Sequence, residues 1–113
     1  GVLNNTAWLL RDSSPARALA LASAAAKLQP NSADIADTMG WILLQKKDAK
    51  GALPVLQRAH AIGPGNRQIT YHLALAFDSL GRKAEAKQAL EDALAKGGDF
   101  PDAADARKLL KSL

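Results

Sequence analysis

The sequence predicts an all-α protein, an α-α superhelix of three helical hairpins followed by a C-terminal capping helix. Alanine, the strongest helix former, supplies about a fifth of the 113 residues, whereas aromatic residues make up only 4%. In addition, alanines and prolines recur with a period of about 34 residues, and polar turns divide each period into two stretches with apolar residues at helical spacing. Each period is therefore expected to fold as one helical hairpin.

The repeat is visible when the sequence is aligned with itself after a shift by one period. The shift superimposes Ala18, Ala52 and Ala86, and it also places Pro30 on Pro64. Proline cannot continue the preceding helix, and the Asn or Ser residues that follow these prolines favour the start of the next one. We therefore predict a single domain, 1–113, with repeat units at about 1–31, 32–65 and 66–98.

Small residues predict close packing between the helices of each hairpin. Gly40, in the middle of a predicted helix, and the recurrent alanines allow helix axes to approach to the short end of the usual range. Larger apolar residues at helical spacing then fill the core: Leu43, Leu56, Phe77, Leu90 and Leu94. Pro54 interrupts this pattern, and it predicts a late start or a kink in the second helix of the middle unit.

The two ends of the chain differ. At the C-terminus, Pro101 suits the first turn of a helix over about 100–112, whose apolar side carries Ala103, Ala106 and Leu110. Such a helix would cap the last hairpin, as solubility of stacked repeats requires. At the N-terminus, an uncovered surface is expected from Leu3, Thr6, Ala7 and Leu10. This predicts either further repeats upstream or a homo-oligomer formed through the N-terminal side.

Composition and motifs disfavour several function classes. The chain has no Cys, no apolar run long enough to span a membrane, and no glycine-rich phosphate loop or nucleophile motif. His60 is expected to be a packing residue, and the carboxylates of Asp34 and Asp37 alone make a poor cation site. We therefore expect no catalytic, cofactor or metal site. The net charge of +4 suggests nucleic acid, but the lysines are expected on the outer, second helices.

The repeat resembles the tetratricopeptide repeat. The resemblance rests on a small residue in the first helix, alanines in the second helix and a closing proline: Ala7, Gly40, Ala74; Ala18, Ala52, Ala86; Ala25, Ala59, Ala93; Pro30, Pro64. It implies that the first helices line a concave groove in which a protein or peptide partner binds. The chain lacks the cluster of Lys, Arg and Asn with which some members hold a C-terminal carboxylate, so that class of ligand is disfavoured.

Helical phase places a mixed set of side chains on the expected groove. The candidate binding residues are Asn4, Asn5, Trp8, Asp34, Asp37, Trp41, Gln45, Gln68, Tyr71, His72, Leu75 and Asp78. Trp8, Trp41, Tyr71 and Leu75 would be the apolar anchors, since aromatic residues often dominate interfaces. Two alternatives stay open: the tryptophans belong to the hairpin core, and Asn4 and Asn5 serve only the start of a helix.

A narrower resemblance concerns location. The segments LNNTAWLLRD, DTMGWILLQKKDAKGALPVLQRA, ITYHLALAFDSLGRKAEAKQAL and GGDFPDAADARKLL resemble the C-terminal repeats of bacterial tetratricopeptide lipoproteins of exosortase and PEP-CTERM exopolysaccharide systems. This implies a protein attached to the outer membrane in the periplasm; without it, a cytoplasmic location is equally open. The function expected is a non-catalytic scaffold that binds a protein segment in its groove, and the alternative is a structural spacer or self-association segment without a groove ligand.

Overall fold

The computed structural model describes residues 2–11, 13–95 and 100–113, without the side chains of Val2 and Leu3. Within these ranges the chain forms seven helices and no strand. They are α1 (Val2–Leu10), α2 (Pro15–Leu28), α3 (Ala33–Gln45), α4 (Ala49–Ile62), α5 (Arg67–Ser79), α6 (Lys83–Leu94) and α7 (Ala103–Ser112). The predicted end of the third unit at residue 98, and the predicted surface position of Leu3, lie outside the described part. None of the described helices has the length and apolar content needed to cross a membrane.

Side-chain caps fix where the middle helices begin. The side chain of Ser32 accepts a hydrogen bond from the Ile35 amide at the start of α3, and Asn66 does the same for Ile69 at the start of α5. Asp48 caps α4 through the Gly51 amide, at 2.9 Å. These oxygens satisfy amides that have no partner within the first turn of a helix.

Consecutive helices pair as antiparallel hairpins and stack in order. α1 packs on α2, α3 on α4 and α5 on α6, while the second helix of each hairpin also contacts the first helix of the next. α6 contacts α7 in the same way. The first helices also meet directly, since α1 contacts α3 and α3 contacts α5. The all-α solenoid with a terminal capping helix is therefore confirmed.

The core lies both within and between hairpins. Ile42 of α3 is fully buried in a cluster with Ala7, Ala18 and Ala22 of the first hairpin. Of the predicted core stripe, the residues that the structure buries are Leu56, Phe77 and Leu90, and those that pack on its edge are Leu43 and Leu94.

Gly40 and Leu56 show how tightly the middle hairpin is packed. A Cβ atom added to Gly40 would overlap the fully buried side chain of Leu56. Gly40 therefore permits the close approach of α3 and α4 that its small size predicted.

Three local predictions are wrong. Ala7, expected on an uncovered surface, is fully buried in the cluster with Ala18 and Ala22. α4 begins at Ala49, capped by Asp48, so Pro54 does not delay its start, and the alternative of a kink stays a prediction. Pro54 lies inside the helix on the exposed side, where the carbonyl one turn earlier can turn to water in place of the missing amide. α7 begins at Ala103 rather than near Phe100, because Pro101 and Asp102 form a turn in which the Phe100 carbonyl accepts from the Ala103 amide.

Candidate functional site

The inner face, which is the surface formed by α1, α3 and α5, holds most of the predicted binding residues. It carries two pockets that lie one after the other along α3. The polar pocket, about 190 Å³, is lined by Asn4, Asn5, Trp8, Asp34, Asp37, Thr38 and Gln68. The apolar pocket, about 410 Å³, is lined by Trp41, Leu44, Gln45, Lys47, Ala49, Leu75 and Ser79. Nine of the twelve predicted residues therefore line one of these two pockets.

The polar pocket combines an exposed carboxylate, amides and the edge of an indole. Asp34 lies in the first turn of α3 and is exposed, whereas Asn4 on α1 is half-buried. The Oδ1 atom of Asn4 is buried and accepts no hydrogen bond from any described residue. A buried acceptor without a donor is unfavourable, so this atom would gain from a ligand that brings an N–H group.

Trp8 at the rim of the polar pocket is held by Arg11. The guanidinium of Arg11 donates to the Trp8 carbonyl at 2.6 Å and lies 3.9 Å from the centroid of the indole ring. This cation–π contact fixes the ring, which is half-buried rather than sealed in the core. One face of Trp8 is thus already occupied within the chain.

The apolar pocket is centred on Trp41 and Leu75, which are both half-buried. They hold equivalent positions on α3 and α5, so stacking of successive first helices brings them together. The indole nitrogen of Trp41 is buried and has no hydrogen-bond partner among the described residues. Exposed Gln45 and Lys47 form the polar mouth of this pocket.

A buried histidine lies between the two pockets. His72 of α5 is 1% exposed, and its Nδ1 lies 2.6 Å from Oδ1 of Asp37 on α3. A carboxylate accepts, so the imidazole donates from Nδ1. The ring also packs on Trp41, with 4.6 Å between centroids. The predicted groove role of His72 is therefore corrected: this side chain is an internal strut between α3 and α5, because the hydrogen bond to Asp37 holds it under the surface.

The turn before α7 completes this network. The Nε2 atom of Gln68 donates to Oδ2 of Asp102 at 3.0 Å, and the same oxygen lies 3.8 Å from Nε2 of His72. Side chains from α3, α5 and the start of the capping segment are thus joined around one imidazole. Sequence reasoning did not single out Asp102, although it follows Gln68 by the same repeat spacing by which Gln68 follows Asp34.

Tyr71 is a predicted anchor that the structure buries. It is 7% exposed and belongs to an apolar cluster with Leu90 and with Ala106 of α7. Burial, followed by the nearby carboxylates of Asp105 and Asp102, raises the pKa of the Tyr71 phenol to about 12. The expectation of an exposed Tyr71 anchor is thus corrected, since α7 covers the ring.

Asp78 lines neither of these pockets. Its carboxylate forms an ion pair with Lys83 at the start of α6, at the turn between α5 and α6. This position separates it from the other candidates and makes it a surface charge pair of the third hairpin.

No cluster of side chains suited to a metal ion is found in the described ranges. Groups of three or more His, Asp or Glu side chains that would suit a metal ion do not occur there. His60 is half-buried, and its Nδ1 lies 3.4 Å from the Thr70 hydroxyl, which fits the packing role expected of it. The inner face offers two pockets, an exposed carboxylate and apolar contact.

Comparison with known families agrees with this geometry. A tetratricopeptide repeat model matches residues 43–113, which include α4 to α7. No curated protein matches the chain. Repeats of this family generally mediate protein–protein interactions and generally serve as non-catalytic scaffolds. Because the match covers more than half of its residues, the chain belongs to the tetratricopeptide repeat family.

Proposed function

We propose that the protein is a non-catalytic scaffold that binds a segment of another protein on its inner face. The observation that carries the proposal is the pair of adjacent pockets along α3, one polar and one apolar. A peptide laid across them would bury Trp41 and Leu75 and place polar groups against Asn4 and Asp34. Partly exposed aromatic side chains beside polar partners are typical of binding surfaces.

The charge distribution favours a protein ligand over nucleic acid. The inner face carries the carboxylates of Asp34 and Asp37, whereas Lys27, Lys50 and Lys87 are exposed on the second helices. A phosphate backbone would be repelled at the polar pocket, and most of the exposed lysines that could attract it lie outside both pockets. The net charge of +4 therefore describes the outer surface rather than the proposed site.

A peptide-display selection tests the proposal. Random peptides are selected against the immobilised protein, and the affinity of each recovered peptide is measured by fluorescence anisotropy. Gln45→Arg should weaken these peptides because it places a long cation at the mouth of the apolar pocket. Gln57→Arg, the same change on the exposed side of α4, should not. Trp41→Ala and Leu75→Ala should also weaken binding, with folding checked by circular dichroism.

If no recovered peptide loses affinity in Gln45→Arg relative to Gln57→Arg, the inner face is not the binding surface. The structural-spacer alternative would then be favoured. Binding that is weakened by Gln45→Arg and Leu75→Ala but not by Gln57→Arg would exclude the structural-spacer alternative.

Self-association is a second candidate function, favoured by one residue. Leu9 on α1 is 77% exposed and presents an apolar side chain to solvent. We propose that a further helical hairpin, from another repeat or another copy, packs there. Sedimentation equilibrium at increasing concentration should show a dimer that Leu9→Ser weakens. A monomer at all concentrations would reject the homo-oligomer.

An envelope location remains a proposal as well. We infer it from the resemblance of the four quoted segments to repeats of PEP-CTERM-system lipoproteins, which would make the protein a scaffold in surface-polymer export. Fractionation of cells that produce the native protein tests this proposal. Recovery with the outer membrane supports it, and recovery with the cytoplasm contradicts it.

A further inference from the structure

We propose that the inner face selects a protein segment that carries a basic side chain and an apolar side chain about four residues apart. The basic side chain binds at Asp34 in the polar pocket, and the apolar one fills the apolar pocket between Trp41 and Leu75. The inference rests on the proposed function and adds to it the chemistry and spacing of the ligand.

Charge assigns the basic side chain to one pocket. Asp34 is exposed, and no hydrogen bond or ion pair of its carboxylate is found within the described ranges, whereas Asp37 is already paired with His72. The apolar pocket instead has Lys47 at its mouth. A cation is thus attracted at the polar pocket and repelled at the apolar one, which fixes the placement of the ligand.

The unpartnered acceptor in the polar pocket points to the same ligand. Oδ1 of Asn4 is buried without a donor among the described residues. Arginine and lysine side chains carry several N–H donors and no acceptor, so one cation can serve both the Asp34 carboxylate and an amide oxygen. An acidic or purely apolar side chain would leave this oxygen unsatisfied.

Helix geometry sets the spacing. The α3 residues that line the polar pocket are centred near position 36, and those that line the apolar pocket are centred near position 43. This separation along an α-helix corresponds to a rise of about 10 Å. An extended peptide advances about 3.3 Å per residue and points alternate side chains to opposite faces, so four residues is the smallest spacing on one face that spans the two pockets.

The probes are fluorescein-labelled peptides with one Arg and one Leu four positions apart in a Gly-Ser background, made in both orders because the strand direction is open. Three further peptides replace Arg by Gln, replace Leu by Ser, or set Arg and Leu two positions apart. Affinities are measured by anisotropy with the wild-type protein and with Asp34→Asn. Asp34→Asn is matched by Glu91→Gln, which removes the same charge from an exposed position of α6.

We expect at least one order of the Arg and Leu peptide to bind most tightly. Replacing Arg by Gln, and Asp34→Asn in the protein, should each cost about tenfold in affinity, and the two losses should not add, since both remove one interaction. Glu91→Gln should leave the affinity within about twofold, because an exposed charge far from the ligand is screened. The peptide with the shorter spacing should bind like the peptides that lack one side chain.

The outcomes separate this inference from the proposed function. If Gln45→Arg weakens the Arg and the Gln peptides equally while Asp34→Asn changes neither, the inner face binds peptides and the basic requirement is wrong. If the two spacings bind equally, the two-pocket placement is wrong. If neither Asp34→Asn nor Gln45→Arg changes the affinity of any peptide that binds, or if no peptide binds, this inference fails; peptides selected by display then decide the proposed function on their own.

Discussion

The first and last hairpins of the stack differ in whether a neighbouring element covers their apolar side chains. Leu9, Ile42 and Ala76 hold the same position in the first helices of the three hairpins. Ile42 and Ala76 are fully buried, whereas Leu9 is 77% exposed. At the other end, Tyr71 is buried by α7 although its position was expected to be open. Burial in a repeat protein is therefore decided by the neighbouring unit as much as by the residue itself.

The largest effect is expected from a substitution in α7, which covers the C-terminal end of the stack. Ala106 of α7 is fully buried against Tyr71 and Leu90, so Ala106→Asp places a charge inside this cluster. We expect a loss of about 3 kcal/mol or more in the free energy of unfolding, measured by urea denaturation. Ala104→Asp, on the exposed side of the same helix, should cost less than about 0.5 kcal/mol. Similar losses for both would mean that α7 does not act as a cap.

The next prediction compares the same repeat position at a covered and an open site. Ile42→Ala removes a fully buried side chain from the cluster with Ala18 and Ala22, and should cost about 2–5 kcal/mol. Leu9→Ala should cost less than about 0.5 kcal/mol in the monomer, because its side chain is already in water. Equal losses would show that Leu9 is covered in solution, which would favour the dimer.

The strut between the pockets gives a third contrast. His72→Ala leaves the largely buried carboxylate of Asp37 without its imidazole partner, and we expect it to cost about 2–4 kcal/mol by urea denaturation. Asn5 holds the corresponding position in α1 of the first hairpin and is exposed. Asn5→Ala should change stability by less than about 0.5 kcal/mol. A small loss for His72→Ala would contradict the claim that the contact between His72 and Asp37 holds α3 and α5 together.

The fold was predictable from the sequence because its signals are local and repeated. Prolines, caps such as Ser32 and Asn66, and alanines at fixed spacing determine helix ends and close packing whatever the surroundings. The late start predicted for α4 is wrong because the Asp48 cap lets the helix begin at Ala49, and because Pro54 lies on its exposed side, which the sequence pattern does not show.

The candidate site was predictable only in part. Helical phase selects one side of α1, α3 and α5, which is why nine of the twelve residues line the two pockets. Helical phase does not show which of these residues another helix covers in the folded chain. Tyr71 is buried by α7, a helix far along the sequence, and His72 is held down by Asp37 from the preceding unit. Such long-range contacts require the assembled stack.

The smallest expected effect concerns Tyr71, the one tyrosine of the chain, and tests whether α7 buries its ring. The pKa of Tyr71 is raised to about 12 by burial and by Asp105 and Asp102, above the usual value of about 10. Between these values the unfolded chain has already lost the phenol proton while the folded chain retains it. The stability that this shift contributes is thus present below pH 10 and is lost as the pH rises towards 12.

Two measurements check this prediction. The difference in free energy of unfolding between the wild type and Tyr71→Phe should fall between about pH 9 and 11.5, since the lysines that titrate in this range are common to both proteins. Absorbance near 295 nm follows the single phenol directly, and its midpoint should lie near 12 in the wild type. In Ala106→Asp, where the cap no longer covers the ring, the midpoint should move towards 10. An unchanged midpoint in that variant would mean that α7 is not what buries Tyr71, because its release would then leave the environment of the phenol intact.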